Sequence, residues 1–572
     1  RGKQHPGGGR AAGGRPGGDQ AQLNNKAINR QLSLAAESGD LARLFEVIRA
    51  YLPQMNGINL VTAFHRVAKL APAADRELGA CKRQPAFQEL FNAIANQLQQ
   101  HSLRSVPGAA EGAQVARLPA RADEMPVQCL SIVAWSCAML QIRHRALFAA
   151  IADITAPRLD ELKPYELSNL FWAFAKLGLR PSELFKSVVT RLLRRSDGEF
   201  KVQCLSTIAW SFATVKRRNL VVFNSLAQEL VRHEAELKPQ EISNTLWAFA
   251  KTRCAHAALF RALGDMAATS CAAGRFKPQE ISNTAWAFAT VGIEHPALFL
   301  AIEGASIQRR ASMAPQNVAN ILWAFAKLGV EPKSRLFEVL LEVSAQKMPS
   351  HKPQELSAIV WAASQVAPER HGAYLAAAIR ACVARSSEFA CNGMANLVKA
   401  VSKTPMEAPD LFLGLLLEAS ARLPHFRPPA LLALAAGAAA GSLNPVYVSH
   451  YGGIVAALAR VLQHISGRVA ELSWPELEEL SSALLLCPMG TGAEQLGQDV
   501  AVAQVALKDL FSTRSGCKGT SMASISTAED PMDDEDFDED TAEVVLLDGC
   551  GPGADFELAK KASFASEAST AS

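Results

Sequence analysis

The sequence predicts an all-α fold, a right-handed α-solenoid of about ten helical-hairpin repeats of 37–39 residues. Three observations predict it. Trp135, Trp172, Trp210, Trp247, Trp286, Trp323 and Trp361 follow one another at gaps of 37, 38, 37, 39, 37 and 38 residues, a ladder that chance does not produce. The chain is 572 residues long but only 7% aromatic and even in composition, which suits an extended array rather than several globules. Each interval also reads as two helices too short to bury an apolar face alone, so neighbours must stack and share a core.

The register continues without tryptophan at Lys399 and Ala436, and an earlier unit stands around His65. The first half of each unit opens on a proline (Pro164, Pro239, Pro278, Pro315, Pro353, Pro428), which suits a first helical turn where a missing N–H costs nothing. Gly178, Gly292 and Gly329, each six residues after a tryptophan, suit a left-handed stop. The second half starts around Phe148, Phe185, Phe223, Phe260, Phe299, Tyr374 and Phe412, 13 residues after the alignment position, with Phe337 at 14, and predicts a second helix packed on the first.

At 100° per residue the helix beginning at Pro239 separates into two faces. Ile242, Leu246, Phe249 and Ala250 form a core face, and Gln240, Asn244, Trp247 and Lys251 form a second stripe. That stripe recurs. Seven residues before the alignment position stand Gln128, Tyr165, Gln203, Gln240, Gln279, Gln316, Gln354 and Asn392, and three before it stand Asn169, Asn244, Asn283, Asn320 and Asn396, with Ile132, Thr207 and Ala358 in the other units. Four after it come Lys69, Lys176, Lys251, Lys327 and Lys403.

Amides can read the Watson–Crick edges of unstacked bases and ammonium groups can neutralise phosphates, so the stripe suits single-stranded RNA. The Gln, Asn and Lys columns are therefore the candidate RNA-binding residues. The opposing reading stays open: Asn and Gln can equally satisfy backbone groups between stacked helices, and the tryptophan reads as a wedge between repeats rather than a base platform.

Outside the repeats, residues 1–24 are Gly- and Arg-rich and are expected to be disordered, 104–124 form an Ala/Gly/Arg-containing linker, and 513–572 read as a disordered tail with an acidic run, Glu529–Asp540. Residues 25–103 read as an N-terminal helical repeat region and 125–512 as the tandem array. The net charge of +3 hides an asymmetry. Only 4 of the 58 Lys/Arg but 14 of the 55 Asp/Glu lie after Ser512, leaving 54 against 41, a net +13, before it. Eleven scattered cysteines with no CxxC pair argue against a disulfide framework and for buried thiols in a reducing compartment. No uncharged apolar stretch has the roughly 18 residues a membrane span needs, so the chain reads as soluble without a membrane partner. It opens on Arg1 rather than Met, which predicts a fragment or a processed chain.

At Gln279-Glu280-Ile281-Ser282-Asn283-Thr284-Ala285-Trp286-Ala287-Phe288-Ala289-Thr290 and its copies, the sequence resembles the octotricopeptide-like repeats of algal and protist organellar RNA proteins. It is similar as well to the repeats of FAST-kinase-domain-like mitochondrial RNA proteins and of the kinetoplastid RNA-editing substrate-binding complex. The likeness covers roughly residues 55–490. It implies work on mitochondrial or plastid transcripts, the mitochondrion preferred, in stability, processing, editing or translation, beside other organellar RNA-processing proteins. Many such proteins end in a RAP domain; the acidic run stands in its place, so a nuclease-like activity is not carried over.

No HExxH, P-loop or GxSxG motif is present, and no acid/base constellation stands out, so a non-enzymatic protein without metal, cofactor or small-molecule substrate is expected. Val544–Gly553 resembles the loop that holds S-adenosylmethionine, but only 19 residues follow it, too few for the rest of a doubly wound domain. The rival from another class is an armadillo- or HEAT-type scaffold gripping an extended peptide through Asn and Trp ladders.

Overall fold

The computed structural model describes residues 16–71, 75–105, 125–402, 404 and 409–468. Lys403, most of the 104–124 linker and everything after Arg468, including the acidic run and Val544–Gly553, lie outside the described residues. Every described element is a helix, and the architecture is an all-α solenoid of hairpins. The chain divides into two compact units, holding described residues 16–233 and 234–468.

In the first unit the hairpins pair Pro16–Glu37 with Leu41–Tyr51, Gly57–Leu70 with Pro85–Ser105, Val127–Met139 with Arg145–Thr155, Pro164–Lys176 with Ser182–Leu193, and Val202–Thr214 with Leu220–Arg232. The earliest of these precedes the units visible in the tryptophan register, and its first helix starts inside the Gly/Arg-rich segment 1–24. In the second unit they pair Pro239–Lys251 with Ala257–Ala272, Pro278–Val291 with Pro296–Gln308, Pro315–Leu328 with Leu336–Gln346, Pro353–Gln365 with Gly372–Ala384, Cys391–Val401 with Pro409–Ser420, and Pro428–Leu443 with Tyr451–Ser466. Within each unit first helices pack mainly on first helices. Among the described residues no single helix is long and apolar enough to cross a membrane.

The proline-led first turns form as the sequence predicts, with Pro164, Pro239, Pro278, Pro315, Pro353 and Pro428 opening their helices. The left-handed stop is more general than its glycines suggest. Gly178, Gly292 and Gly329 have φ of 65°, 70° and 65°, and Gln141, Lys216, Arg253 and Ala367 occupy the same position at φ 52°, 57°, 53° and 44°. After every stop but Ala367, which Pro368 follows, the next amide reaches back across the last turn, as Cys254 N does to Phe249 O at 2.8 Å and Val330 N to Phe325 O at 3.0 Å. The bonded turn holds side-chain-bearing residues in a conformation that costs L-residues about 1–2 kcal/mol. Arg253→Gly should therefore raise stability, by up to about 1 kcal/mol after the entropy glycine adds to the unfolded chain. Chemical denaturation checks it, and a drop would mean that the Arg253 side chain contributes more than its backbone costs.

The core is a file of phenylalanines between the two layers. Phe148 meets Phe174 edge-on at 4.9 Å, Phe260 meets Phe288 at 5.2 Å and Phe299 meets Phe325 at 5.0 Å. Ile242, Leu246, Phe249 and Ala250 are fully buried, as their face predicts. Second helices begin on His144, Asn219, His256 and His295, whose side chains accept the backbone N–H three residues on and close the first turn.

Candidate nucleic-acid interface

The first helices carry the candidate columns, and their register sets which positions can meet a ligand. In the second unit Trp247 and Trp286 lie 6.4 Å apart, as do Trp323 and Trp361. Equivalent positions thus face one another, and the helix N-termini fall along one edge. The tryptophans fill the seam: Trp135, Trp172, Trp247, Trp286 and Trp323 are 2–8% exposed. That makes them wedges between repeats. Trp247, placed beside the polar stripe by the one-helix wheel, is buried because each first helix is flanked by others as well as covered from behind.

The amides divide. Asn169, Asn283, Asn320 and Gln316 are buried within the packing. An amide so enclosed meets neighbouring helices before any base. Gln128, Gln203, Gln240, Gln279, Gln354 and Asn244 are half-buried, and Asn396 is exposed. Gln128 donates from Nε2 to the Glu161 carbonyl at 3.3 Å, which ties it to the turn that leads into the next first helix. Among the lysines, Lys176 and Lys251 are half-buried and Lys327 is exposed.

Two further columns went unread in the sequence. The first is acidic. Glu166, Glu241, Glu280 and Glu355, at the third helical position, are 4–8% exposed. Each accepts from the backbone N–H that precedes the proline, at 2.6–2.8 Å. In Pro315–Leu328 a neutral amide does this work: Asn317 Oδ1 accepts from Ala314 N at 3.0 Å while its Nδ2 donates to Ser282 Oγ of the previous repeat. Burial raises the Glu280 carboxyl above its ordinary value, against the pull of the Lys277 amide and of the Lys277 and Arg309 charges. A raised folded-state pKa gives stability that is complete below the ordinary carboxylate range and is lost as pH rises through the raised value. Glu280→Gln should keep the acceptor, remove that loss and flatten the pH dependence of the unfolding midpoint above about pH 4.5. Glu280→Ala should cost about 1 kcal/mol. A glutamine variant as damaged as the alanine one would show that the charge, not the acceptor, closes the turn.

The second column is basic. The residue just before the helix is Lys163 or Lys201 in the first unit and Lys238, Lys277, Lys352 or Arg427 in the second, all exposed. The same alignment that carries the Gln column carries this one, two positions earlier.

Not every cation is available to a ligand. Near the ends of second helices Arg309, Lys347, Arg385 and Arg422 donate to backbone carbonyls of the preceding repeat, those of Gly274, Met313, His351 and Ser386. In the first unit Arg195 pairs with Glu229, and Arg232 with Asp197. Part of the basic excess therefore staples repeats together. No group of His, Cys, Asp and Glu able to hold a metal occurs among the described residues.

Residues 191–348 match the family model of the RNA-editing substrate-binding complex 6 protein. The matched stretch contains four rungs of the tryptophan ladder, Trp210, Trp247, Trp286 and Trp323, and the basic residues Lys201, Lys238 and Lys277. It relates this part of the chain to an RNA-editing-related family of helical proteins. The match speaks for the RNA-editing branch of the resemblance, not for its octotricopeptide or FAST-kinase-like branches. No curated protein matches the chain.

Proposed function

We propose that the protein is a non-catalytic binder of single-stranded RNA that works with an RNA-editing assembly, in a mitochondrion. The match of residues 191–348 to the RNA-editing substrate-binding complex 6 family carries the reading. The net +13 of residues 1–512, the half-buried glutamines of the first helices and the exposed cations that precede those helices support it. Polyanion binding by lysines releases counterions and is steeply salt-dependent, whereas half-exposed glutamines offer base edges paired donors and acceptors. Single strands suit such a surface because their bases are unstacked and open to contact. The scaffold reading loses its ladder, since most of the tryptophans and several of the asparagines are enclosed between helices and cannot grip a peptide.

The deciding experiment measures binding of the full chain to single-stranded RNA, duplex RNA and an acidic peptide across a salt series. Tight binding to single strands that weakens steeply with salt supports the proposal. Indifference to RNA, or equal affinity for the peptide, would replace it with the scaffold.

A further inference from the structure

We infer that the second unit holds RNA phosphates along the N-terminal edge of its first helices, through Lys238, Lys277, Lys352 and Arg427, and not along the opposite ends that carry Lys251 and Lys327. The inference rests on the RNA-binding reading above and assigns its phosphate contacts.

The argument starts from where a lysine belongs in a helix. At the C-terminal end a cation faces the negative end of the helix dipole, so Lys251 and Lys327, in the last turns of their helices, need no ligand to explain them. The position before the first turn is the reverse. There the dipole is positive, and the favoured residues are Ser, Thr, Asp and Asn, whose side chains accept a backbone N–H that an ammonium cannot accept. The second unit nevertheless puts Lys, Lys, Lys and Arg at that point in four of its six first helices. None of the four makes a side-chain capping bond.

A structural explanation exists, a cation beside the buried carboxylate of the third position, but Arg427 stands before a helix whose third residue is Ala430. The Lys277 and Lys352 charges do pull on the buried Glu280 and Glu355 carboxylates behind them. Yet Pro315–Leu328 has Ala314 at the same place, and its turn closes on Asn317 with the same bond. Neither a cation at the cap nor a carboxylate at the third position is required to form the turn.

Register then turns four residues into a surface. Because equivalent first-helix positions abut, Lys238 and Lys277 stand on neighbouring helices roughly 8–10 Å apart, and Lys352 and Arg427 continue the edge at every second helix, at about twice that spacing. The half-buried Gln240, Gln279 and Gln354 lie two residues inside that edge. Lys251 is 13 residues from Lys238, about 20 Å along the helix, so one strand cannot use both ends as a single track. A flexible chain with a charge on every unit fits the edge, and the amides beside it fit its bases.

The test compares two full-length double variants of equal charge, Lys238→Gln/Lys277→Gln and Lys251→Gln/Lys327→Gln, binding single-stranded RNA across a salt series. We expect the first to lower the slope of log affinity against log salt by about 1.4, two contacts at about 0.7 each, and to weaken binding about tenfold at low salt. The second should keep the parent slope. RNA should also shield Lys238, Lys277 and Lys352, but not Lys251 and Lys327, from an amine-acetylating reagent, a readout that does not depend on either variant folding. Equal losses from both pairs, or protection confined to Lys251 and Lys327, would overturn the assignment while leaving RNA binding intact. Failure of the parent chain to bind RNA would remove the underlying reading itself.

Discussion

Glu229→Ala should destabilise the first unit by about 3–5 kcal/mol, the range seen when one member of a buried ion pair is removed. Arg195 Nε donates to Glu229 Oε2 at 2.6 Å, and the two side chains are only 4% and 3% exposed. Glu229 Oε1 also accepts from Gly198 N at 3.3 Å, while Arg195 donates to the Leu192 and Ser225 carbonyls. The pair joins the loop after Ser182–Leu193 to the helix Leu220–Arg232, so it bridges consecutive hairpins. Alanine at 229 leaves a guanidinium enclosed without a counterion and an amide without an acceptor. Arg195→Leu/Glu229→Leu removes both charges and should recover most of the loss, because apolar replacement of a buried pair is often neutral or better. Denaturant unfolding followed by amide exchange would locate the effect in residues 182–233. A cost under about 1 kcal/mol for the single change would mean that water reaches the site in solution.

Trp286→Ala should cost about 3–5 kcal/mol, since it empties a large buried volume between adjacent first helices. The ring is 7% exposed and tilts 33° against Trp247. Stability in a stacked array is close to a sum of nearest-neighbour terms, so loss at this seam should loosen the repeats on both sides before distant ones. A base platform behaves otherwise: alanine would weaken RNA binding by about 1–3 kcal/mol and leave the unfolding midpoint unchanged. Measuring both quantities on one variant separates the two roles.

Much of the fold could be read in the sequence because it repeats. The tryptophan register, the opening prolines and the file of phenylalanines each mark one element per unit, and Ile242, Leu246 and Phe249 are buried where helical periodicity puts them. The site was harder. A wheel drawn on one helix has a single inside, but a first helix in this array has neighbours on its flanks as well as behind. Hence Trp247, Asn283 and Gln316 are enclosed although their stripe lies apart from the core face. The stops at Gln141, Lys216, Arg253 and Ala367 escaped because only glycine announces a left-handed residue. The cations at Lys238 and Lys277 escaped for the opposite reason: local rules look for an acceptor before a helix, and these positions are informative because they break that rule.

The paired indoles also give the second unit its own optical gauge. Trp247 with Trp286, and Trp323 with Trp361, sit with ring centroids 6.4 Å apart at 33° and 42°. Transition dipoles that close and mutually tilted couple, so each pair should contribute an exciton couplet to the circular dichroism. Opening one seam extinguishes the signal of that pair and spares the other. Replacing Trp323 with phenylalanine would remove one couplet and leave that of Trp247–Trp286, so the opening of that seam could be followed without any added label.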